Sequence, residues 1–333
     1  MLRYTVKRLL LIIPVLIVMS FIIFSMVDMI PGDPAQMLLG THVTEETLAT
    51  AREEMGLNDP FFVRYGRFLW DLLHLDLGES LMSKRPVWTM LQEKLPATIE
   101  LTFFAMIFAT VIGGTAGVIS AWKQGSFFDY LAMVGALLGI SMPVFWLGFM
   151  LIMFFAVFLN ILPTAGRMAA EIDASVLKTN FYLFESLFTG KWNIFVASVR
   201  HMILPAIALG TIPMAIIARM TRSSLLEVLR QDYMRTARAK GLKFYDIFIH
   251  AIKNAAIPVI TIIGMNFGRL MAGAVLTETV FGWPGMGKWL YDGILKRDFP
   301  VVIGAAMAVT FLMVLVNLIT DLTYSLLDPR IKY

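Results

Sequence analysis

The 333-residue sequence contains no cysteine, which excludes disulfides, thiolate metal sites, iron–sulfur clusters and a cysteine nucleophile at once. Charge is scarce as well. Only 16% of residues are Asp, Glu, Lys or Arg, far below a soluble average. There are four histidines, His42, His74, His201 and His250, all in expected loops or span ends. No His-x3-His pair is present for zinc, and no serine sits in a nucleophile motif with a histidine partner, so a hydrolase within the membrane is disfavoured. A nucleotide site is missing too. Gly282-x4-Gly287-Lys288 approaches a P-loop, but Trp289 stands where the magnesium-binding Ser/Thr belongs and no buried strand precedes it. No internal repeat or low-complexity segment is visible.

What the chain has is apolar surface: 58% of its residues are hydrophobic and the mean hydropathy is +0.74. The apolar residues come in blocks near 9–30, 98–121, 130–158, 203–220, 256–280 and 300–324, each long enough for the roughly 20 helical residues that cross a hydrocarbon layer. The expectation is an all-α polytopic membrane protein of about six spans, forming one domain over 1–333. The third block is too long for one straight span and contains Gly139, Ser141 and Pro143, so it reads as a kinked helix or a span with an interfacial lead-in. Arg3, Lys7 and Arg8 before an apolar run resemble a secretory leader, but the run is long and no small-x-small site follows, which favours an uncleaved first span.

The net charge of +4 does not point to nucleic acid, because the excess sits beside the spans. Residues 219–253 hold eight Lys/Arg against Glu227, Asp232 and Asp246, marking this loop as cytoplasmic. The segment 31–97 carries six basic and ten acidic residues and belongs outside. Both termini then face the cytoplasm. Within 31–97, Thr44 can cap a helix ending at Gly56, and Asp59-Pro60 can start another through Trp70. This outer helical segment either covers the outer mouth or touches a soluble partner. The second outer loop, 160–202, has too little pattern to assign.

The cytoplasmic loop 219–255 contains a short helix. Asp232 is a good N-cap, Tyr233 to Lys240 is helix-permissive, and Gly241 suits the left-handed position after a helix end. Arg238 and Lys240 complement the dipole of the last turn, and Ala237 and Ala239 leave room for a neighbouring surface. Taken alone, such a helix is either a solvated basic face or a docking knob.

The stretch Asp232-Tyr233-Met234-Arg235-Thr236-Ala237-Arg238-Ala239-Lys240-Gly241, followed by Asn254-Ala255-Ala256-Ile257-Pro258, resembles the loop of binding-protein-dependent ABC permeases, and more narrowly their dipeptide and oligopeptide branch. Further matches run in order along the chain: Ile30-Pro31-Gly32-Asp33-Pro34, Leu77-Gly78-Glu79-Ser80, Gly139-Ile140-Ser141-Met142-Pro143, Met220-Thr221-Arg222-Ser223-Ser224, Leu276 to Gly285, and Asp328-Pro329-Arg330-Ile331. The general permease consensus has Glu-Ala-Ala where Arg235-Thr236-Ala237 stand and a Leu-Pro pair nearer the glycine, a departure that is itself similar to the peptide branch.

The resemblance implies a type I importer permease fold in a bacterial inner membrane. It implies a second homologous permease sharing the pathway, two cytoplasmic ATPase subunits docked on the loop helices, and an extracytoplasmic peptide-binding protein. ATP and magnesium would be bound by those partners, with no cofactor in this chain. Asp232, Arg235, Thr236, Ala237, Arg238 and Gly241 would form the coupling motif. Relatives also carry glutathione, haem precursors and nickel complexes.

Polar residues at bilayer depth are the candidate path. Arg269 lies near the middle of the fifth span with Asn266 three residues earlier, expected on the same face, where the pair could meet a peptide carboxylate. A structural ion pair is the alternative. Glu278 is too far along to reach Arg269 directly. Asn317 and Asp321, one turn apart, read as interhelical hydrogen-bonding groups, and Gly113/Gly117 and Gly264/Gly268 as close-packing sites. Two other classes stay open: an ATP-independent secondary transporter, and a membrane anchor without a pathway.

Overall fold

A computed structural model describes residues 2–30, 34–39, 44–169, 172–173 and 175–327. Pro31 to Asp33, His42 and the stretch Asp328 to Ile331 lie outside the described residues, as do the side chains of Arg3, Lys7, Arg8 and Asp321. Among the described residues the architecture is helical. Five helices are long and apolar enough to cross a membrane, and a bent pair makes up to six.

The first span, α1 (Leu2–Asp28), leads to three shorter helices: α2 (Pro34–Leu39), α3 (Glu45–Glu54) and α4 (Phe61–Leu73). Thr44 caps α3 by accepting from the Thr47 N–H at 3.4 Å, and Gly56 takes φ +63° just beyond its end, as the sequence pattern requires. The second span, α5 (Val87–Trp122), starts eleven residues before the apolar block at 98. Its 36 residues reach roughly 54 Å at 1.5 Å each, and its ends project beyond the hydrocarbon.

The third block is not one straight crossing. α6 (Phe127–Ser141) and α7 (Val144–Leu151), which continues as a π-helical turn over Ile152–Phe158, meet at 107°. Met142 before Pro143 is forced extended, with ψ 129°, because a proline excludes the helical conformation from the residue preceding it.

The unassigned loop holds a short helix, α8 (Tyr182–Phe188), and α9 (Trp192–Leu229) extends well past the apolar block 203–220 at both ends. α10 (Asp232–Ala239) lies in the basic loop. α11 (Phe244–Gly273) begins twelve residues before the expected span and stops short of its end, where a separate α12 (Val275–Val280) follows. α13 (Met286–Lys296) and α14 (Phe299–Leu327) complete the chain as described.

α5 and α9 form the central pair. Leu101, Ala105 and Ala109 of α5 pack with Met202, Leu209 and Ile217 of α9 in the largest buried cluster. Glycines set their separation: a Cβ on Gly117 would stand 2.5 Å from the Ala218 carbonyl oxygen, and one on Gly210 2.6 Å from that of Ala105. Helices in lipid gain from such backbone approach because apolar burial alone does not separate helix from lipid. Gly117→Leu is therefore expected to lower the melting temperature of the purified protein, consistent with an overpacking cost of about 1–3 kcal/mol or more. Gly114→Ala, whose Cβ would meet nothing within 4 Å, should leave it unchanged.

The sequence stretches outside the spans anchor the outer end. Trp283 is fully buried and donates from Nε1 to the Ala97 carbonyl at 2.9 Å. Asp298 at the start of α14 accepts from the Ser80 hydroxyl (2.5 Å) and the Leu81 N–H (3.0 Å), pinning the turn at Gly78, which has φ +73°.

Candidate functional site: a pegged helix under the spans

α10 has the eight residues the loop pattern suggests, shifted by one. Gln231, extended at φ −69° and ψ 150°, occupies the N-cap, and Asp232 is the first helical residue. Its carboxylate thus favours the helix dipole from the first turn without capping it. At the other end Gly241 takes φ +72°. The Gly241 N–H donates to the Arg238 carbonyl and the Leu242 N–H to the Ala237 carbonyl, the paired bonds of a Schellman ending that requires a left-handed residue.

Only one side chain of α10 goes inward. Met234 is fully buried, in a socket of Ala121 from the end of α5, Leu225 from the end of α9, and Ala251 and Ala255 from the start of α11. The inner ends of three long helices thus converge on one methionine. Asp232, Arg235, Thr236 and Arg238 are exposed and Ala237 half-buried. The Arg235–Asp232 ion pair, at 3.4 Å and open to solvent, adds little, which leaves the guanidinium available to another surface. Burial pushes the Tyr233 phenol up from its ordinary value, with the Asn254 side chain pulling the other way. Met234 escaped the sequence reading. The available signal was a single long apolar side chain in an otherwise polar and small-residue helix.

Beside the peg, the inner ends are stapled. Arg222 donates to both carboxylate oxygens of Asp129 at 2.7 and 2.8 Å. The Ser120 hydroxyl and the Gly125 N–H donate to the same carboxylate, joining α5, α6 and α9.

Asn266 and Arg269 differ in burial on the isolated chain. Asn266 is buried and its amide donates to the Ile262 carbonyl of its own helix at 2.8 Å. Arg269 is exposed on the isolated chain. Three residues along a helix turn a side chain by about 60°, and the boundary between core and surface falls in that arc. Gly268 leaves room for Asn317 of α14, in keeping with a packing role.

The loop resembling a P-loop is filled by the chain itself. The buried Glu278 carboxylate accepts from the Thr98 hydroxyl at 2.6 Å and the Lys288 N–H at 2.8 Å, and Lys288 Nζ pairs with Asp292 at 2.8 Å. Glu278 is thereby committed to the start of α13.

Residues 113–333 match the family described as binding-protein-dependent transport system inner membrane component, and residues 1–102 match its N-terminal companion. The chain is 51% identical to the dipeptide transport system permease protein DppB of Alkalihalophilus pseudofirmus, covering 100% of both chains. It is 47% identical to the DppB of Escherichia coli strain K12, over 100% of this chain and 99% of that one. In fold it is similar to a chain of the MetNI methionine ABC transporter solved in inward-facing conformations. That match has TM-score 0.51 and 16% identity, and covers 72% of this chain and 96% of the other.

Proposed function

The chain belongs to the family of binding-protein-dependent transport system inner membrane components, and on that premise we propose that it forms half of the pathway of an ATP-driven importer of short peptides. The observation that carries the reading is likeness to dipeptide permeases along the entire chain, including the loop that forms α10. The family has the type I importer permease fold and works with an ATPase and a binding protein.

In this reading two cytoplasmic ATPase subunits grip the exposed Arg235, Thr236 and Arg238 on α10, and a second, homologous permease supplies the other half of the path. Nucleotide-driven closure of the ATPases displaces α10, and Met234 passes the movement to α5, α9 and α11 together. In this reading α10 and both termini lie on the cytoplasmic side, which the basic loop 219–253 supports. ATP and magnesium belong to the partner subunits, and this chain catalyses nothing itself. An extracytoplasmic protein delivers the peptide. Arg269, exposed on a membrane helix where an unpaired charge costs at least about 2.5–3.5 kcal/mol, faces either the shared path or the second permease.

The test is ATP-dependent uptake of labelled di- and tripeptides into proteoliposomes holding the co-purified complex. Uptake is expected with wild type. It is expected to vanish in Gly241→Pro, where a proline ring cannot adopt φ +72°, while the complex still assembles. If peptides are refused but another solute stimulates the ATPase, the cargo is different; if no ATPase co-purifies, the proposal fails.

A further inference from the structure

The outer helix α4 has an apolar arc too wide for a helix that meets water. Placing its residues at 100° intervals, only Arg64, Arg67 and Asp71, with His74 just after the helix, make up a polar face. Phe61, Phe62, Val63, Tyr65, Phe68, Leu69, Trp70, Leu72 and Leu73 occupy the rest.

Part of that arc packs on the first span. Phe61, Tyr65 and Phe68 all lie against the Phe24 ring, at centroid distances of 5.3 to 5.6 Å, and the Tyr65 hydroxyl donates to the Ile17 carbonyl at 3.1 Å. Arg64 pairs with Asp28 at the outer end of α1. The remainder of the arc is bare: Phe62 is 76% exposed, Trp70 65% and Leu73 78%. The charged side is only partly turned to solvent, with Arg67 exposed and Arg64 and Asp71 half-buried. Arg64, Arg67 and Asp71 line a cleft of about 310 Å³ together with Phe299 and Pro300 at the start of α14. Arg64 and Asp71 turned toward the protein body, with Phe62, Trp70 and Leu73 turned away, depart from the arrangement of a water-facing helix.

Depth identifies what covers the bare face. α4 crosses α1 between Phe21 and Phe24, four to seven residues inside Asp28, or roughly 6–10 Å at 1.5 Å per residue, with the Tyr65 hydroxyl reaching deeper to Ile17. An interfacial helix buries its apolar side about 5–10 Å into the boundary between headgroups and acyl chains. At the same level α1 exposes Phe21, Ile22 and Met26 within a stretch apolar enough to span a membrane, so the bare face of α4 continues a surface already in lipid.

We propose that α4 is an interfacial helix whose Phe62–Trp70–Leu73 face is immersed in the outer leaflet, with Trp70 at headgroup level, and that it holds the outer end of α1 against the bilayer. The occupant of this face is lipid acyl chain, not a docked protein. The proposal is independent of the solute carried, and its test requires no transport.

Because the chain has no cysteine, nitroxide labels can be placed singly at Phe62→Cys, Leu73→Cys and, as a water-exposed reference, Glu46→Cys on α3. The partner subunits would have their thiols replaced by serine. The complete complex is reconstituted into phosphatidylethanolamine/phosphatidylglycerol vesicles, and each label is relaxed with molecular oxygen and with a water-soluble nickel chelate. Labels at 62 and 73 are expected to favour oxygen severalfold over nickel, and the label at 46 to show the reverse. Nickel access at 62 and 73 equal to that at 46 would put the face in water. Protection from both reagents would put it under another protein. Either result overturns the proposal.

Discussion

Met234→Asp is expected to leave the complex assembled and hydrolysing ATP while peptide uptake per ATP collapses. The substitution puts a carboxylate into a socket of Ala121, Leu225, Ala251 and Ala255, none of which has a polar side chain. Burying an unpaired charge there costs several kcal/mol, and the side chain escapes by lifting α10 out of the socket. The exposed Arg235 and Thr236 lie about 100° and 200° around the helix from Met234, and in the proposed reading they remain available to the ATPase. Met234→Ala keeps the chemistry and removes the volume, a loss of about 2–5 kcal/mol in a packed site. With each 1.4 kcal/mol worth about tenfold, the equilibrium constant for docking falls tenfold or more. Met234→Leu conserves volume and should cost under about 1.5 kcal/mol, leaving transport near wild type. The ratio of peptide imported to ATP hydrolysed in proteoliposomes separates these cases. A wild-type ratio in Met234→Asp would remove the peg from the mechanism, and loss of the ATPases on purification would assign it to assembly.

The spans were legible because a hydrocarbon solvent writes long apolar blocks into sequence, whereas their true lengths were not. Residues 192–202 and 221–229 extend α9 through stretches containing Arg200, Arg222 and Glu227, which hydropathy rejects but protein contacts and water accept. Pro143 announced a break without giving its angle, since the 107° turn depends on what α6 and α7 pack against. In the loop that holds α10, Gly241 was readable from chirality alone. Asp232 was misplaced by one because Gln231, with no capping side-chain bond, competes for the same extended position. Asn266 is buried and Arg269 exposed on this chain, a difference that helical spacing, which gives adjacency only, does not foretell. Met234 needed tertiary knowledge: its socket is assembled from residues 121, 225, 251 and 255, which no local pattern connects.

The clearest feature that sequence could not reveal is also where a single change should cost most stability. Arg167, in the unpatterned outer loop, is 6% exposed and donates from Nη2 to Glu100 Oε2 at 2.6 Å and to the Asn180 carbonyl at 2.6 Å. Its guanidinium lies 4.0 Å from the centroid of the Tyr182 ring. Glu100, fully buried on α5, accepts with its other oxygen from the Leu183 and Phe184 N–H groups at 2.9 and 3.2 Å, tying down the start of α8. Arg167→Ala strips the cation and leaves that carboxylate buried and uncompensated, for an expected loss of about 3–5 kcal/mol. It should appear as a large drop in the thermal midpoint of the detergent-purified complex. Arg167→Lys should recover only part of this, because an ammonium reproduces neither the stack nor the planar fork. Arg167→Met combined with Glu100→Gln keeps an acceptor for the α8 N–H groups with no charge to neutralise, and buried pairs replaced together are often nearly neutral. The unpartnered Arg167 Nε reduces what the native pair gains, which strengthens that expectation. A double variant as unstable as Arg167→Ala would show that the stacking of Arg167 on Tyr182, not charge compensation, holds the outer loop.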